Sequence, residues 1–508
     1  MTASTTSVPV RAENPSVDAY LRAALSPEQR RNVLFPSFTQ WDFALAALAD
    51  TAACLREQGA EITLAFWGPH TPLRDPGWSA SRALGRLTGA PTCDDIARAA
   101  LLAVGIPAAA DTRPPIRRWR PGQDIRIDAP MNRTQIRALQ YHGTPMGRAI
   151  LQVHPDTETP ITDTFFWSRR WVQAAARSYA WVFDQVSAVI AQRDVTAVCV
   201  YNGRFLHDRA ASAAAQVAGV PVLYYDTGGL DTDFDLTDSV THDWSDLQRR
   251  MLALYEGWAP EDRDVVGGSW FRERLEHAAP DNALFTEAQE RGSTIDRPDA
   301  DCLVVYFSSS GDEIAELELD WGQFIGSQPE ALAYLAEECR SRPGYTLVVR
   351  SHPHMRMKPA QDLAEWLEAV GQAQPDVHLD PYSTVDSYAL MRQADIVVTY
   401  GSTTGVEAAY AHKPVIVMGP SAYDELGCAI RASTREQLAA ALDVREPGSW
   451  PGAVSYGLMM RRRGFLLSRV RRSAGTFELA GKTFAQPRLP VRHAGNLVKR
   501  IQRWYLSR

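Results

Sequence analysis

The chain has 508 residues, 45% hydrophobic and 22% charged, with a formal net charge of −7. That length exceeds a single hydrophobic core and requires two or three domains, and the ordinary composition excludes a disordered or collagen-like protein. No apolar run of about 18 residues occurs, and the N-terminus lacks the apolar core of a secretory signal. The six cysteines (Cys54, Cys93, Cys199, Cys302, Cys339, Cys428) form no C-x-x-C pair and read as reduced, mostly buried thiols of a cytoplasmic protein, without a zinc site.

Residues 1–30 are polar and read as an arm with a short helix near Val17 to Ala24. A first α/β domain is expected over 31–290. Its strands are Asn32 to Phe35, Ile62 to Trp67, Ala197 to Tyr201 and Pro221 to Tyr225, with helices near Asp42 to Gln58, Asp163 to Gln192 and Asp208 to Ala218. Residues 70–160, rich in Pro, Arg and Ala, form an insertion expected to shape an acceptor surface. Asp231, Asp233, Asp235 and Asp238 invite a metal reading. An EF-hand would need Gly where Leu236 stands and Glu where His242 stands, so the stretch reads as a solvated acidic loop. Residues 257–300 are polar with helical pieces, as in an interdomain crossing.

A second alternating set spans 300–450. Strands Leu303 to Phe307, Thr346 to Arg350, Val377 to Leu379, Ile396 to Thr399 and Val415 to Met418 alternate with five helices, the pattern of a doubly wound sheet. Ligands of such sheets bind beyond the carboxyl ends of the strands, and this set repeatedly places polar turns there. Ser308-Ser309-Ser310-Gly311 follows the first strand and Arg350-Ser351-His352-Pro353 the second. Gly401-Ser402-Thr403-Thr404-Gly405 follows the fourth and Gly419-Pro420-Ser421-Ala422-Tyr423 the fifth. One such turn is common; four in one sheet favour a site. The Gly401–Gly405 turn brings backbone N–H groups, hydroxyls and a helix start together, which suits a phosphate, and Glu407 lies close enough in sequence to reach a ribose. This is the chemistry of a nucleotide-sugar site. His352 can donate to a departing phosphate. Neither a Walker motif nor a G-x-S-x-G elbow occurs.

His352-Pro353, Asp395-Ile396-Val397-Val398, Gly401 to Ala408, Lys413-Pro414-Val415-Ile416 and Gly419 to Tyr423 stand in an order and spacing that resembles bacterial capsular polysaccharide glycosyltransferases. That group includes Kdo transferases and shares His-Pro and Ser-Ser/Thr motifs with bacterial sialyltransferases. The resemblance covers about 120 residues. It implies a GT-B fold: two Rossmann-like doubly wound domains facing across a cleft, here with a basic helical C-terminal segment over 451–508. It also implies donor-phosphate contacts from His352, Ser402 and Thr403 and a ribose contact from Glu407. With them, Ser308, Ser309, Ser310, Gly311, Arg350, Gly401, Thr404 and Tyr423 complete the expected donor set. The nucleotide sugar, a CMP-activated sugar acid by resemblance with UDP- or GDP-hexose open, is substrate, and no cofactor or metal is expected.

Asn202-Gly203-Arg204 and Tyr225-Asp226-Thr227-Gly228-Gly229 resemble acceptor-side motifs of the same group. The related enzymes carry an acidic-acidic-Gly motif; here Asp226 is the only acid and Thr227 takes the second place. Transfer needs a base for the acceptor hydroxyl. Asp226 is the first candidate, Asp42 the second and His70 the third, with Asn202 and Arg204 beside them on the acceptor side. A nucleotide-sugar 2-epimerase of the same fold and a tail-led nucleic-acid-binding or scaffold protein are the alternatives. Residues 451–508 hold 13 Lys and Arg and one acid, Glu478; that segment carries +12 and the rest of the chain −19. Either an anionic membrane surface is its partner or it lies back on the acidic body; nucleic acid is not the expected partner.

Overall fold

The structure, a computed structural model, describes residues 16–37, 42–67, 98–99, 101–102, 104–122, 124–152, 164–230, 232–279, 282–310, 316–317, 319, 324–473, 476–479 and 482–485. The chain forms two units, residues 13–155, 162–241 and 463–508 in the first and 242–462 in the second. Strands are numbered in chain order: β1 Asn32–Pro36, β2 Glu61–Ala65, β3 Ala197–Tyr201, β4 Val222–Thr227, β5 Asp233–Thr237, β6 Cys302–Phe307, β7 Tyr345–Arg350, β8 Val377–Leu379, β9 Ile396–Thr399, β10 Val415–Val417, β11 Ile430–Arg431 and β12 Phe465–Leu466.

The first sheet runs β12-β5-β4-β3-β1-β2, parallel from β4 to β2 and antiparallel at β5 and β12. Successive residues serve opposite faces, as strand geometry requires. Leu34, Val198 and Val200 join the helices Arg169–Arg193 and Leu206–Val217, while Val33, Phe35 and Cys199 join Val17–Ala24 and Asp42–Glu57. The second sheet, β11-β10-β9-β6-β7-β8, is wholly parallel. Within its unit the order is 3-2-1-4-5-6, and β6 is buried at every residue, as a strand covered on both faces must be. A chain of two such Rossmann-like units has the GT-B make-up anticipated from the sequence. The five described cysteines are free and buried.

Three expectations change. The acid-rich stretch after Asp231 is not a solvated loop: Asp233–Thr237 is β5, with Asp233 and Asp235 buried. Phe234 and Leu236, two residues apart, turn to the core, and this period of 2 outweighs the acids between them. The unit boundary falls at 241/242 rather than near 290, because helices Trp244–Gly257 and Pro260–Leu275 pack with Trp450–Arg462 in the second unit. Two glycines permit the close crossing: a Cβ on Gly457 would lie 2.3 Å from the Gly267 carbonyl oxygen. Finally, among the described residues the segment from 451 is helical only to Arg462. Gly464, at φ +91°, turns the chain into β12, and strands Val470–Ser473, Thr476–Leu479 and Lys482–Ala485 form an antiparallel sheet. Part of its charge is spent internally. Arg461 pairs with Glu273, and Arg469 with Glu57 and the fully buried Asp50.

Candidate donor site at the carboxyl edge of the second sheet

In an order 3-2-1-4-5-6 the strand direction of travel reverses between β6 and β9, and the crevice beyond their carboxyl ends is where ligands bind. The turns that follow these strands, and the one after β7, carry the sequence-predicted residues. Ser308 continues β6, its N–H donating to the Arg350 carbonyl (3.1 Å). Its Oγ accepts from the His352 backbone N–H (2.8 Å), tying the β6 and β7 turns together. Ser309 is clamped at both backbone groups by Gln328, which accepts from its N–H (2.7 Å) and donates to its carbonyl (3.1 Å). Ser310 is half-buried; Gly311 lies outside the described residues.

His352 caps the short turn Pro353–Met357, and its Nδ1 accepts the backbone N–H of His354 (3.1 Å). A backbone N–H can only donate, so Nδ1 carries no proton and the neutral ring must carry it on Nε2. No partner for Nε2 occurs among the described residues. Phe285 packs edge-on against both His352 and His354. Burial pushes the His352 pKa down to about 3, helped by the charges of His354, Lys358 and Arg350. The ring is therefore a neutral donor in positive surroundings.

Arg350 serves the scaffold. It is 1% exposed, and its guanidinium donates to the carbonyls of Asp380 (2.6 Å) and Ser383 (3.1 Å) in the loop after β8. Burial lowers its pKa to about 10.

Behind β9 the chain enters the Gly401–Gly405 turn. Gly401 sits at φ +90°, and a Cβ there would lie 2.1 Å from the Pro420 carbonyl oxygen; only glycine fits. Ser402 is buried, Thr403 exposed and Thr404 half-buried. The Ser402 Oγ donates to Thr404 Oγ1 (3.3 Å). Tyr423, 1% exposed, supports the turn from inside: its hydroxyl donates to the Ser402 carbonyl (2.6 Å) and meets Thr399 Oγ1 (3.0 Å). Gly405 lies against that hydroxyl, where a Cβ would approach to 2.1 Å. Tyr423 thus holds the turn rather than facing a ligand.

Glu407 faces inward at 2% exposure. Its Oε1 meets Arg274 Nη1 (3.5 Å) and accepts from Tyr388 (3.3 Å), itself bonded by Asn282 (2.7 Å). Sequence reasoning missed Arg274, Tyr388 and Asn282, since nothing in their spacing links them to the turn. It also missed Gln248, whose buried amide joins the loop after β10 to the helix Trp244–Gly257 through Asp424 (2.9 Å) and Glu425 N–H (2.6 Å).

In the first unit the acceptor-side residues gather at the same edge of their own sheet. Asn202 follows β3 at φ +54°, a left-handed conformation that asparagine tolerates. Its Nδ2 donates to Asp226 Oδ2 (2.6 Å), which also accepts from Thr241 (3.2 Å), and Asp226 Oδ1 accepts from Thr227 N–H (2.7 Å). Arg204 lies over the Phe205 ring. Helix Asp42–Glu57 begins at Asp42, whose side chain, like the whole of His70, lies outside the description. Among the described residues no cluster of three His, Cys, Asp or Glu could hold a metal, and no helix is long and apolar enough to cross a membrane.

These features define a two-unit α/β protein whose second unit carries polar turns at a topological switch point. Residues 319–443, about a quarter of the chain, match the family described as capsule polysaccharide biosynthesis protein. That match bears out the resemblance to capsular polysaccharide biosynthesis glycosyltransferases read from the sequence. No curated protein matches significantly. Among solved structures, KpsC beta Kdo 2,7 transferase of Thermosulfurimonas dismutans is similar at 15% identity over 63% of this chain and 90% of that one, with a TM-score of 0.34. KpsC beta Kdo 2,4 transferase of the same organism gives 15%, 52%, 79% and 0.32. A putative UDP-N-acetylglucosamine 2-epimerase of Listeria monocytogenes gives 12%, 85%, 91% and 0.26.

Proposed function

We propose that the chain transfers a sugar from a nucleotide-activated donor, a CMP-activated sugar acid, to a hydroxyl of a capsular glycan. The observation that carries this reading is the open Nε2–H of His352, a neutral donor whose proton position is dictated by His354, beside the Ser308–Ser310 and Gly401–Gly405 turns at the switch point. As the anomeric C–O bond to phosphate breaks, negative charge grows on the departing phosphate, and donors already oriented toward it stabilise the transition state. Ser310 and Thr403 are the hydroxyls best available for the same anion. Glu407 answers to Arg274 and Tyr388, so a ribose contact from it would compete with those partners. Asp226 is the candidate for the base that takes the acceptor proton. Thermal-shift measurements with CMP, UDP, GDP and CDP test the donor site. Selective stabilisation by CMP that is lost in His352→Ala supports the reading, and stabilisation by none, or equal stabilisation of both proteins, overturns it. Conversion of a donor sugar in the absence of any acceptor would favour a 2-epimerase instead.

A further inference from the structure

We infer that the first unit carries a docking surface for an acidic glycan on an arginine-rich strap, residues 113–122 and 124–126. The inference deepens the proposed function, because it assigns the charge class of the acceptor.

Residues 111–152 contain eight arginines and three acids in a chain whose acids outnumber its basic residues. Of the arginines on the strap and at the start of helix Arg169–Arg193, Arg113, Arg117, Arg118, Arg120 and Arg169 are exposed, and none makes an ion pair or hydrogen bond among the described residues. The strap is nonetheless held firmly. Gln185, fully buried on helix Arg169–Arg193, bonds both backbone groups of Ile116 (2.9 and 3.0 Å). Asp184 accepts from the Trp119 indole (2.7 Å) and the Tyr141 hydroxyl (2.8 Å). Gln173 bonds the Ile125 carbonyl (2.7 Å) and the Ile127 N–H (3.0 Å). Arg169 and Arg177 lie one turn either side of Gln173 on the same helix face, and Arg177 covers the Trp119 ring. Backbone and aromatic groups are consumed in fixing the strap while the guanidinium groups are left outward. Such an array is pre-organised for carboxylates or phosphates in bidentate geometry.

Its placement favours a substrate. Asp111 pairs in parallel with Leu64 of β2, and the Trp67 indole, two residues beyond β2, donates to the Thr112 carbonyl (2.9 Å). The strap therefore leaves the sheet at its carboxyl edge, the edge where Asp226 stands next to last in β4. In the order β4-β3-β1-β2 these points are three strand spacings apart, roughly 14 Å. A glycan with its accepting hydroxyl at Asp226 reaches the strap only if it is an oligosaccharide.

The test is binding of carboxylated oligogalacturonides of two and eight units, against neutral maltooligosaccharides of equal length, an oligonucleotide and anionic phosphatidylglycerol vesicles. The octamer is expected to bind in a salt-sensitive manner and the dimer and neutral sugars weakly. The triple variant R117A/R118A/R120A should lose about tenfold or more in octamer affinity, equivalent to ~1.4 kcal/mol, with unchanged melting temperature, and the corresponding triple lysine variant should recover part of it. Equal octamer binding by wild type and alanine variant overturns the inference, as does preference for the oligonucleotide or vesicles. Nucleotide binding, followed separately in the same proteins, reports on the proposed function: strap-dependent glycan binding without nucleotide binding would sink that reading and leave the surface standing.

Discussion

The carboxyl edges of the two sheets differ in what they leave over. At the second, His352 Nε2 has no partner among the described residues, Thr403 is exposed and Ser310 is half-buried. At the first, both oxygens of Asp226 are already engaged by Asn202, Thr241 and Thr227. One edge keeps donors unspent among the described residues; the other holds its carboxyl group in a fixed place. An anion receptor must have donors to spare, whereas a general base must be oriented before it accepts a proton.

The largest expected effect tests that division. Asp226→Asn keeps the size of the side chain but removes the base, and should cut transfer by about 10²–10⁴-fold while nucleotide-induced thermal shifts stay at the wild-type value. Retained turnover would move the base to Asp42 or His70. His352→Ala should cost about 10²–10³-fold in kcat, and it should weaken the nucleotide-induced shift that Asp226→Asn spares. If both variants alter nucleotide binding alike, the two edges do not divide the labour. A smaller effect belongs to the scaffold: Tyr423→Phe strips the donor from the buried Ser402 carbonyl and should lower unfolding stability in urea by ~1–3 kcal/mol. An unchanged midpoint would show that the turn does not depend on Tyr423.

These groups were legible in the sequence to different degrees, for physical reasons. The strands of the second sheet are apolar runs closed by Gly, Ser and Thr, and their order alone places Ser308, His352 and the Gly401 turn at one edge. Direction of the side chains was not legible. Tyr423 and Arg350 follow strands as ligand-binding residues do, yet burial turns Tyr423 under the Ser402 carbonyl and Arg350 onto two backbone carbonyls. Glu407 sits in a first helical turn, where an acid is favoured anyway, and its partners Arg274 and Tyr388 come from distant segments. Asp233 and Asp235 were hidden by charge; the period-2 pattern of Phe234 and Leu236 was the better signal. The helix Pro260–Leu275 reads in sequence only as helical pieces of a polar stretch, because its glycine pair, of which Gly267 meets Gly457, weakens its helical pattern.

The smallest effects concern protons on one helix of the first unit. His207 and Asp208 are adjacent near the start of helix Leu206–Val217, His207 half-buried and Asp208 fully buried, and desolvation shifts both toward neutrality. It pushes His207 down to about 4 and Asp208 well above the usual carboxylate range, the latter aided by the charge of Asp226. Their contributions to stability oppose one another. Below the ordinary histidine value near 6.5 the unfolded chain binds a proton that folded His207 refuses, so stability falls as pH drops from 6.5 toward 4. Above the ordinary value of 3.8 the unfolded chain releases a proton that folded Asp208 keeps, so its term falls as pH rises. His207→Gln should therefore flatten the acid-side loss between pH 6.5 and 5, by at most ~1.4 kcal/mol per pH unit. Asp208→Asn should stabilise the protein progressively as pH rises above 4. Chemical unfolding at several pH values reads both slopes. An unchanged slope in either variant would show that the replaced group titrates alike in the folded and unfolded chain. His352, lowered to about 3, adds a slope of the His207 kind, yet its donor tautomer stays intact throughout, so nucleotide binding should not respond to this ring between about pH 5 and 8.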